Sequence, residues 1–234
     1  MREYFTFNGK SSTDFEVWIS GNGIYKAPER DIETVAVPGR NGELTIDNGR
    51  YNNVDITYPA FVFKDFRQNF DAFKAFLMSE RGYKELRDSY DPEHYRLARF
   101  IQALEPEMMV RNKMGQFDIV FNCDPRRFLI SGKKKKTYTA AGTINNTFPF
   151  EALPVIRAYG TGSFSIGETT VTISTASGYT DIDCEMQEAY KGSTNCNNNI
   201  TLSGGEFPRL LPGENAITLS GITSLEITPR WWQI

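Results

Sequence analysis

The sequence predicts a mainly β protein with one helix, an α+β first half of antiparallel strands followed by an all-β sandwich. Three observations predict it. Apolar residues alternate at period two through most of the chain, helical spacing occurs in a single segment, and turn residues recur about every 8 to 12 residues in the second half, the spacing of sandwich strands. At 234 residues with a net charge of −3, the chain has the size and composition of a globular protein of one large or two ordinary domains. No run of about 18 apolar residues could form a membrane-spanning helix. The opening MREYFTFNGK lacks the basic, apolar and small-residue regions of a secretory signal, so synthesis and folding in the cytoplasm are expected.

In chain order, strands are expected at 4–7 and 15–19, broken by Asn8-Gly9 and by Gly21-Asn22-Gly23. From Ile32 to Phe63 the apolar residues fall at period two (Ile32, Thr34 and Ala36, then Leu44 and Ile46, then Val54, Ile56 and Tyr58). Pro38-Gly39-Arg40-Asn41-Gly42 and Asn48-Gly49 supply turn positions. These strands are polar and long, so exposed edges are expected, which are a liability in a monomer and useful in an oligomer. One helix follows. Asp65 with Gln68 reads as a capping box, Phe66, Phe70, Phe73 and Leu77 form an apolar stripe for packing on the sheet, and Gly82 ends the helix. Four further strands are expected at 83–88, 95–104, 108–114 and 116–124. In the last, Phe117, Ile119, Phe121 and Cys123 share the buried face, and Pro125 closes it.

Gly132 and the run Lys133 to Lys136 have no apolar period and a block of like charge, so they read as a linker or the rim of a domain junction; with no aromatic interleaving and a net negative chain, a footprint for nucleic acid or anionic lipid is disfavoured. The expected division is residues 1–132, a linker at 133–142, and a sandwich over 143–234, with strands at 155–159, 163–166, 170–174, 179–184, 188–190, 200–203, 215–220 and 225–228.

Candidate chemistry is sparse. Asp181, Asp183 and Glu185 alternate along one strand as a calcium site or a carboxylate pair might, but glycosidase carboxylates face each other across a cleft, and a polar strand face gives the same pattern. His94, the one histidine, lies near Asp91 and Glu93 without a nucleophile motif. Cys123, Cys184 and Cys196 are too few and too widely spaced for a disulfide framework or zinc site; Cys123 reads as core filler, and Cys184 and Cys196 could pair, although reduced thiols are expected. No hydrolase, phosphate-loop or dinucleotide fingerprint is present, so no catalytic, cofactor-binding or metal residue is assigned. Trp231 and Trp232 are candidate interface aromatics. Neighbours on a strand point to opposite faces, so one is expected in the core and the other exposed.

Several segments, in order and at matching separations, carry a family resemblance: VPGRNGELTIDNGRYNN, FDAFKAFLMSERGYKELRDSYDPEHYRLARF, LPVIRAYGTG, TDIDCE, FPRLLPGENAITLSG and ITPRWWQI. Over essentially its full length the chain resembles the distal tail (Dit) proteins of long-tailed, non-contractile bacteriophages. The resemblance implies an N-terminal belt domain that assembles as a homo-hexameric ring, and a C-terminal galectin-like β-sandwich outside it. The ring would sit at the virion tail tip, joining the tail tube protein to the Tal-type tail-associated protein and the receptor-binding apparatus, without sequence-specific nucleic-acid or membrane binding. The chain has no room for the inserted carbohydrate-binding module of longer members. A ring needs head-to-tail contacts between different surfaces. The turn Arg40, Asn41, Gly42 and Glu43, and the strand beside Tyr51, are therefore expected at a subunit interface. A monomeric carbohydrate-binding adhesin acting through the sandwich is the competing reading.

Overall fold

The computed structural model describes residues 3–20 and 25–234, so the expected break at Gly21-Asn22-Gly23 lies outside the described residues. The chain divides into two compact units, one running to Arg127 and including the terminal Ile234, the other Phe128–Gln233.

The first unit contains β1 (Phe5–Phe7), β2 (Lys10–Ser11), β3 (Val17–Ile19), β4 (Arg30–Ala36), β5 (Glu43–Tyr51), β6 (Val54–Val62), α1 (Phe66–Ser79), β7 (Lys84–Asp88), β8 (His94–Phe100), β9 (Glu107–Val110) and most of β10 (Met114–Leu129). Its main sheet has the order β2-β1-β7-β8-β10-β6-β3, with β9 on β10, and the pairings whose register is resolved are antiparallel. The alternation along β10 has its expected outcome: Phe117, Ile119, Phe121 and Cys123 are all buried, and β6 answers with Val54, Ile56, Tyr58, Ala60 and Val62. Helix α1 covers this face. Its buried stripe contains the expected four residues and Phe76, and Phe70 meets Phe117 edge-on at 4.9 Å while Phe73 meets Phe5 at 6.2 Å. Burial of these rings supplies most of the helix's stability, about 1.5–3 kcal/mol each.

The ends of α1 differ from expectation. Asp65 lies in the left-handed region (φ 49°) and its side chain makes no capping hydrogen bond, so no capping box forms with Gln68. The first N–H, from Phe66, goes to the carbonyl of Asn112 at 3.2 Å, across the sheet rather than to a neighbour in sequence. A capping box exists instead at Ser11 and Asp14, on the short 3-10 turn Ser12–Phe15. The helix stops at Ser79, whose hydroxyl donates to the Phe76 carbonyl, and the left-handed Gly82 belongs to the turn beyond. Nor does Pro125 close β10. It stands two residues past the last β6 partner, Cys123 opposite Val54, where its missing N–H costs no ladder bond on that side.

The second unit contains β11 (Lys136–Tyr138), β12 (Gly142–Asn146), β13 (Val155–Tyr159), β14 (Gly162–Ile166), β15 (Thr169–Ile173), β16 (Tyr179–Asp183), β17 (Glu188–Lys191), β18 (Thr194–Asn195), β19 (Ile200–Leu202), β20 (Gly213–Ser220), β21 (Ser224–Thr228) and β22 (Trp232–Gln233). Two antiparallel sheets, β11-β21-β13-β16-β17-β18 and β12-β20-β14-β15-β19, enclose one core, with Ile156, Ile182, Leu225 and Ile227 from the first meeting Ile144, Phe164, Val171 and Ile217 from the second. The loop before β20 is pinned by buried Asn215, which accepts from the Leu211 N–H at 2.9 Å and donates to the Leu211 and Gly213 carbonyls at 2.8 and 3.1 Å.

The lysine run leads directly into a strand. Lys136 opens β11, which pairs with β21 from Ile227 to Leu225, and Lys135 bonds Glu226 at 3.0 Å. Gly132 is buried so closely against the backbone that an added Cβ would stand 2.5 Å from the Trp231 nitrogen. The charges are on the outside of a chain segment whose backbone is already inside the sandwich.

Candidate functional site

The β4–β5 hairpin is a two-stranded sheet of its own. Thr34 faces Thr45, Val35 faces Leu44 and Glu33 faces Ile46, so one surface carries Val35, Leu44 and Ile46 together. Burial contradicts the ordinary fate of such a surface: Val35, Leu44 and Ile46 are 46, 43 and 51% exposed, and Ile32, on the opposite face, is 43% exposed. An isolated hairpin of this kind is marginal in water, and both of its outer edges offer free backbone hydrogen-bonding groups. Among the described residues the arm has no covering surface.

At its tip Gly39 and Gly42 both have φ near 80°, a left-handed conformation, and the Arg40 N–H closes the turn on the Val37 carbonyl at 3.1 Å. Arg40, Asn41, Gly42 and Glu43 are all exposed there. Tyr51 is at the opposite end of β5, half-buried, with the Arg30 guanidinium 5.2 Å above its ring. Glu43 and Tyr51 stand eight residue steps apart along the strand, roughly 27 Å. The expected interface residues therefore mark the two ends of one arm and do not form a single patch. Asn48-Gly49 is not a second turn. Gly49, at φ 69°, sits in an irregularity of β5, where its N–H donates to Asp47 at 2.9 Å. The base is stiffened by Arg30–Asp47 at 3.0 Å and Arg50–Asp31 at 2.5 Å. The Arg50 hydrogen bond holds the Asp31 carboxyl below its usual value, and the Gly49 N–H does the same for Asp47.

The other candidates are structural. Asp181, 7% exposed, takes a bidentate bond from Arg157 (2.6 and 2.8 Å), whose guanidinium also lies 4.2 Å over Tyr179. Asp183 is held by Arg230 at 2.6 and 2.8 Å, and Arg230 also approaches Glu185 at 3.4 Å. Asp181 and Asp183 are thus engaged by guanidinium groups, and the strand face that bears them is buried rather than open. His94 begins β8, half-buried, with Nδ1 2.7 Å from Asp91. All three cysteines are free, and burial pushes the Cys123 thiol up to about 12. Among the described residues no three His, Cys, Asp or Glu side chains gather as metal ligands, and no helix is long and apolar enough to cross a membrane. Trp231 is the core member of the pair, 6% exposed, with its backbone packed onto Gly132. Trp232 is half-buried, stacked on Phe150 at 4.4 Å, and its Nε1 donates to the Glu151 carbonyl at 2.8 Å.

No family model and no curated protein matches the chain. Among solved structures, the chain superposes on the SPP1 Dit (gp 19.1) protein, described as a paradigm of the hub adsorption apparatus in phages infecting Gram-positive bacteria. The TM-score is 0.74 at 14% identity, with 97% of this chain and 98% of that one covered. The fold is that of a Dit protein. The phage P2 baseplate in its activated conformation, with calcium and with strontium, gives TM-scores of 0.55 and 0.53 at 10% identity, covering 97% of both chains each time. The Dit fold thus runs through both units of the chain and includes no large insertion. The solved structures that share it here are phage hub and baseplate proteins.

Proposed function

We propose that the chain is a structural distal tail protein. Six copies close into a homo-hexameric ring at the phage tail tip, and the ring is a hub joining the tail tube protein to a Tal-type protein and the host-adsorption apparatus. The uncovered β4–β5 arm carries this reading. It has an apolar face and, among the described residues, two free edges and no covering surface, and it is built on the same fold as a phage hub protein. In a ring each copy would lend its arm to the next, so the contact joins two different surfaces and closes by rotation. Arg40, Asn41, Gly42 and Glu43 at the tip and Tyr51 at the base would then lie at successive points of one subunit boundary. Function in this reading is mechanical, with no substrate and no cofactor.

Negative-stain microscopy and light scattering of the purified chain test it. The wild type is expected as six-fold rings. Gly42→Pro, which cannot adopt the φ of 80° the tip requires, is expected as a folded particle of one chain's mass. A wild type that stays monomeric at high concentration would overturn the ring, and an unchanged ring in the variant would remove the tip from the boundary.

A further inference from the structure

Four Asn-Gly pairs stand in the sequence, at 8–9, 22–23, 41–42 and 48–49. Asparagine is thermolabile where the next backbone nitrogen can reach its side-chain carbonyl carbon, and glycine, with no Cβ, obstructs that approach least. Asn22-Gly23 lies outside the described residues, and the fold treats the other three differently. Space does not separate them, since a Cβ added at Gly9, Gly42 or Gly49 would meet nothing within 4 Å. Hydrogen bonding does. Asn8 is held twice, its N–H donating to the Glu85 carbonyl at 2.9 Å and its side-chain amide to Glu80 at 2.8 Å. Asn48 lies inside β5, and the Gly49 nitrogen that would attack it donates its hydrogen to Asp47 at 2.9 Å. Asn41 is exposed at the arm tip, and neither its side-chain amide nor the Gly42 N–H has a hydrogen-bond partner among the described residues. The bond that closes this turn, from the Arg40 N–H to the Val37 carbonyl, falls one residue before the pair.

We propose that Asn41-Gly42 is a site of spontaneous deamidation that ages the arm of the unassembled chain, while hydrogen bonding spares Asn8 and Asn48. The reaction needs only water. The Gly42 nitrogen, its proton lost to solvent, bonds to Cγ of Asn41; the Cγ–Nδ2 bond breaks, ammonia leaves, and a succinimide ring closes. Water then opens either ring carbonyl. The product is an aspartate or, with the main chain routed through the side-chain carbon, an isoaspartate. A neutral amide two residues from Glu43 becomes a carboxylate, and the isoaspartate form also adds a methylene to a backbone that Gly39 and Gly42 hold at φ near 80°. The chemistry is a property of the single chain. Only the protection of assembled copies rests on the ring reading above, in which a neighbour covers the tip.

The test is mass spectrometry of the purified full chain aged at mildly alkaline pH. Tryptic peptide 41–50 carries both Asn41 and Asn48, and fragment ions place the amide loss within it. Labelling by isoaspartyl methyltransferase measures the rearranged product. Asn41 is expected to react about tenfold or more faster than Asn8 and Asn48, the factor set by freeing one hydrogen bond to a charged group before attack. In urea, where the folded restraints are gone, the three sites are expected to react at similar rates. Asn41→Gln, an exposed change, is expected to abolish the fast loss at an unchanged unfolding midpoint. An intact Asn41 amide would overturn the proposal, as would an equal rate at Asn8 or Asn48 in the folded chain, or the same ranking in urea. Where rings form, assembled copies are expected to keep the Asn41 amide longer than free copies, and equal rates would overturn the link to assembly. A chain that forms no rings would overturn the ring reading alone, since the ranking of sites is measured on the monomer.

Discussion

Asp183 carries a charge in a place that burial alone would forbid. Burial raises its carboxyl, but the two Arg230 hydrogen bonds and the N–H groups of Met186 and Glu185 outweigh it and hold the group below its ordinary value of 3.8. A carboxyl depressed in the folded state adds stability above its unfolded value, and that stability is lost as pH falls through the folded value, because there the unfolded chain binds more protons. Asp183→Asn is therefore expected to cost about 2 kcal/mol at neutral pH, below the roughly 3–5 kcal/mol of a fully broken buried pair because Arg230 keeps Glu185. The gap between variant and wild type should close as the urea midpoint is followed down to about pH 2. A gap of constant size would mean the pair contributes by shape rather than charge. The alternation of Asp181 and Asp183 was legible in the sequence, although Glu185 lies in the turn beyond the strand, and the meaning of the pair was not legible, since the partners Arg157 and Arg230 stand 24 and 47 residues away along the chain. Strand parity puts carboxylates on a face without saying which strand will lie beside them.

Among the elements, α1 was readable in its middle and misread at its ends. Apolar spacing is a local property, and burial of Phe66, Phe70, Phe73 and Leu77 follows from it. The start of the helix is set instead by Asn112, on a turn between two later strands. Asp65 therefore has the strain of a left-handed residue without the hydrogen bond of a cap. Asp65→Gly is expected to raise stability by about 0.5–1 kcal/mol in urea unfolding, since glycine adopts that conformation freely. A loss of about 1 kcal/mol would show a side-chain cap in solution. The same logic explains the strands. The eight expected between 155 and 228 all exist within about two residues, because alternation and turns are local signals. Strand β11 was hidden under a lysine run, because its place in the sheet is decided by β21 and the seat of Gly132 by Trp231.

For the molecule as a whole, the decisive feature is a surface the single chain does not use. The hairpin was legible from Gly39 and Gly42, whereas its isolation was not, because periodicity reports that a strand has an apolar face and never what covers it. This separates stability from assembly in a way an experiment can exploit. Leu44 and Ile46 are adjacent in space on one face and 43 and 51% exposed, so replacing both with Asn removes little burial within the chain and should change its unfolding free energy by under about 1 kcal/mol. In a ring the same two side chains would be covered by a neighbour, each contributing roughly 1–2 kcal/mol at every boundary, and a closed ring repeats that loss at each of its contacts. The double variant is therefore expected to elute and scatter as a folded monomer at concentrations where the wild type forms rings, with circular dichroism and the unfolding midpoint unchanged. Rings in the variant would mean that the apolar face of the arm points to solvent in the assembly as well, and that its free edges alone make the contact. Loss of folding together with loss of rings would mean that the arm is covered within its own chain.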